Sequence, residues 1–243
     1  MKDHYIICGY GVKGRSAARA LCESGVHTED VVIVERDRAQ AEEASLRGHT
    51  VIVGDATRSS VLQEAEVAAA KAVVFGLARD DTAVLATLTA RDLAPEALLV
   101  AAVLEDENAH LLRQSGADEV ITSSETAGRF LGLTTRHPRV GEVLSDFLHS
   151  DYGLSLREHL VTDDEVGCSL ADIADQRTVA IKRGDEVLRY DDPRIGRLQR
   201  GDRLVGLPRS RGPGDPVDAR ADPTTDDATS ADAPADDAPS REP

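Results

Sequence analysis

Between Cys8 and Arg15 the chain reads Cys8-Gly9-Tyr10-Gly11-Val12-Lys13-Gly14-Arg15, a G-x-G-x-x-G turn. Three glycines at this spacing can hold a pyrophosphate. Gly9 permits a tight turn, Gly11 lets the backbone approach the phosphates, and Gly14 lets a following helix pack closely on the preceding strand. A helix opening here adds unpaired N–H groups and a positive dipole end, and Lys13 and Arg15 add charge nearby. Glu35 stands 21 residues beyond Gly14, where an acidic side chain can accept hydrogen bonds from adenosine ribose hydroxyls. A 2′-phosphate would be repelled by Glu35 and only partly compensated by Arg36, so the expected ligands are NAD(H), ATP or ADP and NADP is disfavoured.

Other reactive residue types are scattered. Cys8, Cys22 and Cys168 are odd in number and widely spaced, which suggests buried structural thiols rather than a disulfide framework or a zinc site. The seven histidines show no H-E-x-x-H or comparable spacing, so no transition metal is expected. A nicotinamide-dependent oxidoreductase remains an alternative, but such an enzyme needs a proton donor or base. Tyr5, Tyr10, Tyr152 and Tyr190 are followed four places later by Gly9, Gly14, Leu156 and Arg194, so no Y-x-x-x-K pair exists. Asp80-Asp81 and Glu105-Asp106-Glu107 read as solvated caps near strand ends.

The elements that must position the glycine turn follow from hydrophobic patterning. Apolar runs at His4 to Cys8, Val31 to Glu35, Thr50 to Val53, Ala72 to Gly76, Leu98 to Val103 and Glu119 to Ile121 predict six strands. Helices are predicted at Ser16 to Ser24, Arg38 to Arg47, Ser59 to Glu66, Thr82 to Leu93 and Asn108 to Ser115. This alternation is an α/β pattern, a Rossmann-like doubly wound parallel sheet over residues 1–137. Val140, Val143, Leu144 and Phe147 recur at helical spacing and predict a connecting helix over 138–150 with one apolar face.

Residues 151–208 read as a small α+β module, with a short helix near Cys168 to Ala174 and strands at Thr178 to Lys182, Glu186 to Tyr190 and Arg203 to Leu207. At about 60 residues its core is marginal, and dimerisation commonly helps such modules. From Ser210 onward the chain carries nine acids against Arg211, Arg220 and Arg241 with almost nothing large and apolar, which predicts a disordered acidic tail over 209–243.

Across 243 residues, 44 Asp and Glu against 28 Lys and Arg give a net charge of −16. No Lys/Arg-rich run offsets it, so nucleic acid and anionic membrane surfaces are poor partners. The longest apolar stretches, such as Ala97 to Leu104, fall far short of the ~20 residues that span a bilayer, so no direct membrane insertion is expected. The short apolar run after Met1-Lys2-Asp3 is no signal-peptide core, which predicts a cytoplasmic protein.

Several short segments together resemble the RCK (regulator of K⁺ conductance) family, also described as TrkA-N plus TrkA-C domains, over residues 3 to about 208. They are Gly9-Tyr10-Gly11 through Arg15, Glu35, Gly54-Asp55-Ala56-Thr57, Asn108 before Leu111-Leu112, Gly116-Ala117-Asp118-Glu119-Val120-Ile121, and Gly201-Asp202-Arg203-Leu204. The resemblance implies a cytosolic regulator that forms a dimer or an octameric ring, binds an adenine nucleotide and acts on a membrane-embedded K⁺ channel or transporter pore. It places Asp55, Ala56 and Thr57 beside the adenosine, although Asp55 also fits a turn or N-cap residue before the helix holding Val61 and Leu62. It makes Pro138 to Ser150 the crossover helix between two lobes. Calcium-binding members carry carboxylates where this chain has Gly76, Ala102 and Leu104, so no such metal site is expected. Members that hold a γ-phosphate often have Arg where Val12 stands, which leaves ATP/ADP and NAD(H) both open.

Overall fold

The run Tyr5-Ile6-Ile7-Cys8 is almost free of polar side chains, as a strand covered on both faces must be. In the computed structural model, which describes residues 2–148, 156–173, 176–184 and 186–208, it forms the inner strand of a six-stranded sheet. The strands are β1 (His4–Cys8), β2 (Val31–Glu35), β3 (Thr50–Val53), β4 (Ala70–Phe75), β5 (Leu98–Val103) and β6 (Glu119–Thr122). All pairs are parallel, in the order β3-β2-β1-β4-β5-β6. The order reverses between β1 and β4, so the crevice past their carboxyl ends is the natural ligand position.

Side chains of one strand go alternately to two cores. Ile6, Cys8, Val32, Val34, Val73 and Phe75 meet α3 (Ser59–Glu64), α4 (Asp80–Leu93) and α5 (Ala109–Gln114). Ile7, Val31 and Ile33 meet α1 (Val12–Glu23) and α2 (Arg38–Leu46) on the opposite face. The α4 residues against the sheet are Ala83, Ala86 and Ala90, all fully buried, which lets the helix lie close to the strands despite the scarcity of aromatics. Each buried Val or Ile contributes about 1.5–3 kcal/mol relative to exposure. Cys8 belongs to this core, and burial pushes its thiol up to about 12. Cys22 and Cys168 are only half-buried, contrary to the expectation of buried thiols throughout.

Two helices follow, α6 (Ser123–Arg136) and α7 (Pro138–Leu148). The first was not expected from the patterning. The second matches the predicted connecting helix, with Val140 and Val143 exposed and Leu144 and Phe147 half-buried; residues 149 and 150 lie outside the described residues. Gly141 is buried against Thr134 of α6, where a side chain would collide with the threonine.

The later residues form an antiparallel sheet, β7-β10-β8-β9, from β7 (Arg157–Leu160), β8 (Gln176–Arg183), β9 (Glu186–Arg189) and β10 (Arg203–Pro208). Its core is separate: Val161, Ile173, Ile181, Leu188, Ile195, Leu198 and Leu204. Asp202, 1% exposed, accepts from Arg183 Nε at 2.9 Å and Nη2 at 2.7 Å. Arg183 also donates to the carbonyls of Ile195 and Arg197, so this pair anchors the long loop before β10. The helix expected near Cys168 to Ala174 is a single 3-10 turn, Leu170–Asp172, because Ser169 and Asp172 close a capping box across it; Ala174 lies outside the described residues. The predicted acidic tail does too. Among the described residues no helix is long and apolar enough to cross a membrane.

Candidate functional site

The glycine turn leaves β1 with Gly9 at φ +92°, a left-handed conformation that favours glycine. Helix α1 then begins at Val12, a turn earlier than the expected Ser16, with Gly11 as its N-cap. No side chain caps this end and its first turn holds no acidic residue, so its N–H groups stay available to an anion.

The three glycines are required for different reasons. A Cβ on Gly14 would overlap the Gly9 carbonyl oxygen, and one on Gly9 would press on Gly76 and Leu77 at 3.2–3.4 Å. Gly76 itself packs against the Gly14 backbone. Around Gly11, by contrast, only Gln40 Oε1 comes within reach, at 3.9 Å, so protein packing does not demand glycine there. The space left open belongs to a crevice of about 280 Å³.

That crevice gathers Gly9, Gly11, Glu35, Arg36, Asp55 and Ala56 from the expected set. Tyr10, Val12, Lys13, Gly14, Arg15 and Thr57 do not line it. The sequence reading missed Asp37 and Gln40 at the start of α2, and Arg79 and Thr82 at the start of α4. Only the adjacency of β1 and β4 brings the last two to the glycine turn, and no local pattern announces that.

Glu35 is 8% exposed, and its carboxylate already works within the chain. Oε2 accepts the Tyr10 N–H at 2.6 Å and Oε1 the Asp37 N–H at 2.8 Å. Glu35 therefore ties the glycine turn to the start of α2, and each oxygen keeps a second lone pair for a further donor. Asp55 is a turn residue that also lines the crevice: its Oδ1 accepts from Thr57 N at 2.9 Å and Thr57 Oγ1 at 2.8 Å. These two bonds, the backbone one first, hold its carboxyl below the usual carboxylate range. It is not the N-cap of α3, which is Arg58.

Across the switch point, Lys13 Nζ is buried without a hydrogen-bond partner among the described residues. Burial lowers its ammonium's pKa, and the charge of Asp80 opposes that shift. Asp80 opens α4 and accepts from Leu104 N, Glu105 N and Asn108 Nδ2 at 2.9–3.1 Å, fastening α4 to the β5–α5 connection. An orphaned cation behind an uncapped helix end, beside a glycine with room at its Cα, fits a phosphate-bearing ligand. No His, Tyr, Lys or Cys lines the crevice, and among the described residues no group of three or more His, Cys, Asp or Glu is arranged to hold a metal.

Residues 5–123 match the sequence family described as the TrkA-N domain. Potassium channel protein 1 of Methanocaldococcus jannaschii is 26% identical over 201 residues, which are 79% of this chain and 60% of that protein. Probable potassium channel protein 2 of the same organism is 32% identical over 148 residues, 61% of this chain and 43% of that protein. The chain thus spans 60% or less of these relatives' own length. The crystal structure of GsuK bound to ADP superposes with a TM-score of 0.51 at 30% identity, covering 61% of this chain and 41% of that one.

Proposed function

We propose, for a chain whose residues 5–123 belong to the TrkA-N family, that it is the cytoplasmic nucleotide-binding regulatory part of a potassium channel or transporter. An adenine nucleotide binds in the crevice past β1 and β4 and shifts the relative orientation of two protomers in a dimer or larger ring, which a membrane-embedded pore feels. Residues 1–137 act as the nucleotide-binding unit, 138–150 as the connection and 151–208 as the second regulatory unit.

The observation that carries this reading is the uncapped start of α1 beside Gly11, whose missing side chain leaves crevice space that no protein atom uses. The diphosphate belongs at that helix end, with Lys13 supplying positive charge behind it, whereas Arg15 is engaged by Glu43. The ribose hydroxyls belong at Glu35, with Arg36, Asp55 and Ala56 along the adenosine. ADP, the ligand of the GsuK structure, is the part common to ATP and NAD(H), so all three satisfy this arrangement. The lack of any His, Tyr, Lys or Cys along the crevice, whose carboxylates Glu35, Asp37 and Asp55 already accept hydrogen bonds within the chain, favours sensing over hydride transfer, which needs a proton donor or acceptor at the oxygen of the reacting alcohol or carbonyl.

A thermal-unfolding panel with ADP, ATP, NAD⁺, NADH and NADP⁺, with absorbance followed at the nicotinamide band, tests the reading. Ligand at ~100 times Kd adds about 2.7 kcal/mol, or roughly 5–10 °C for a chain of this size. The expected result is a shift with one or more unphosphorylated adenosine nucleotides, no redox turnover, and a change in protomer geometry by small-angle scattering. Gly11→Ala should abolish the shift while leaving the unliganded chain folded. Absence of a shift with all five ligands would make the glycine turn purely structural and remove the proposal's basis.

A further inference from the structure

Tyr10 and Arg15 face a second cavity, of about 290 Å³, lined by α1, the end of α2 and the segments leading into β2 and β3. It shares no lining residue with the nucleotide crevice. Three guanidiniums converge on it, from Arg15, Arg19 and Arg47. One carboxylate serves two of them: Glu43 takes Arg15 at 3.0 Å and Arg47 at 3.1 Å. Arg19 has no ion-pair partner among the described residues. A local excess of positive charge therefore persists in a chain whose net charge is −16.

The cavity also has a buried neutral donor. Tyr10 is 1% exposed, its ring is packed edge-on against His49, and its hydroxyl has no hydrogen-bond partner among the described residues. Tyr10 lines the cavity together with Arg15, Arg19 and Arg47. Planar guanidiniums and a hydroxyl donor lining one cavity match the oxygens of a tetrahedral dianion, which arginine takes in bidentate fashion.

We propose that this cavity binds a phosphate group, free or as a small phosphomonoester, held by Arg19 and Arg47 with the Tyr10 hydroxyl donating from the floor. Arg15 stays with Glu43 and sets the edge of the site. The proposal stands apart from the nucleotide reading, because none of these three phosphate-holding side chains lines the crevice.

The test is calorimetric titration of the full chain with inorganic phosphate and with glycerol 3-phosphate, at constant ionic strength against a chloride control. Wild type should bind with a Kd below about 10 mM. The Arg19→Gln/Arg47→Gln variant should lose tenfold or more in affinity, and Tyr10→Phe, which removes only the hydroxyl, should weaken binding severalfold. Both arginines are exposed, so the double variant should keep its circular dichroism spectrum. Gly11→Ala should bind phosphate as wild type does, separating this cavity from the crevice. Tighter binding of glycerol 3-phosphate identifies a phosphomonoester ligand, and equal binding identifies free phosphate; both support the site. No saturable binding by wild type, or affinity unchanged in the double variant, overturns it.

Discussion

Glu35 does two jobs with one carboxylate, and substituting it separates them. Glu35→Ala should weaken nucleotide binding while the domain stays folded. Its carboxylate also satisfies two backbone N–H groups, the buried one of Tyr10 and the partly buried one of Asp37. Leaving a buried donor unpaired costs about 1–3 kcal/mol, so Glu35→Ala should lower urea stability by about 2 kcal/mol as well as reduce nucleotide affinity. Gly14→Ala should destabilise by about 1–3 kcal/mol, typical of overpacking, because its methyl has no room beside the Gly9 carbonyl. Gly11→Ala, an N-cap change with open space around it, should cost under about 1 kcal/mol. Urea titration of the three variants checks the order. The motif was legible because its spacing is local. Its division into two structural glycines and one spared for a ligand was not, since only the folded contacts distinguish them.

At the scale of elements, the strands of the parallel sheet were legible as apolar runs, because both faces of each inner strand are covered. Two elements escaped for opposite reasons. Among the described residues α6 has no buried side chain, and with Gly128 and Gly132 inside it there was no core-facing period to read. Strand β7 reads Arg157-Glu158-His159-Leu160, and its place is set by its register with β10 rather than by its own hydrophobicity. The fastening of α4 to the β5–α5 connection carries a pH signature. Burial alone would raise the Asp80 carboxyl, but Asn108, the Leu104 and Glu105 N–H groups and Lys13 outweigh it and hold it below the usual range. Asp202 is held low by Arg183 in the same way. The native state then binds fewer protons than the unfolded chain, so stability rises with pH in this region. The contribution should be complete above about pH 5 and should fade as pH drops through the unfolded carboxylate value near 3.9. A melting curve at each pH from 7 to 3 checks this, and Asp80→Asn should flatten the acid limb.

Taken whole, the described residues form three hydrophobic cores with no buried residue in common, one on each face of the parallel sheet and one inside the small antiparallel sheet. Residues 1–137 and 151–208 are each net acidic. With a net charge of −16, self-repulsion opposes compaction and is screened over about 10 Å at 0.1 M salt. Raising NaCl from low to moderate concentration should therefore raise the melting temperature by a few degrees, as differential scanning calorimetry would show. A fall instead would mean that ion pairs such as Arg194–Asp192 and Arg200–Asp163 outweigh the repulsion. The position of β1 has a consequence for how the chain comes into being. Of the six strands of this sheet, the first to leave the ribosome, β1, lies in the middle of the finished sheet, between β2 and β4. Its second neighbour is not complete until Phe75 has been made, several seconds later at about 5–20 residues per second. During that interval the edge formed by His4 to Cys8, which leads into the glycine turn, is open to any other strand. Newborn chains crowded on one message are the nearest source of such a strand, so copies of this chain are exposed to mispairing with one another before folding is done.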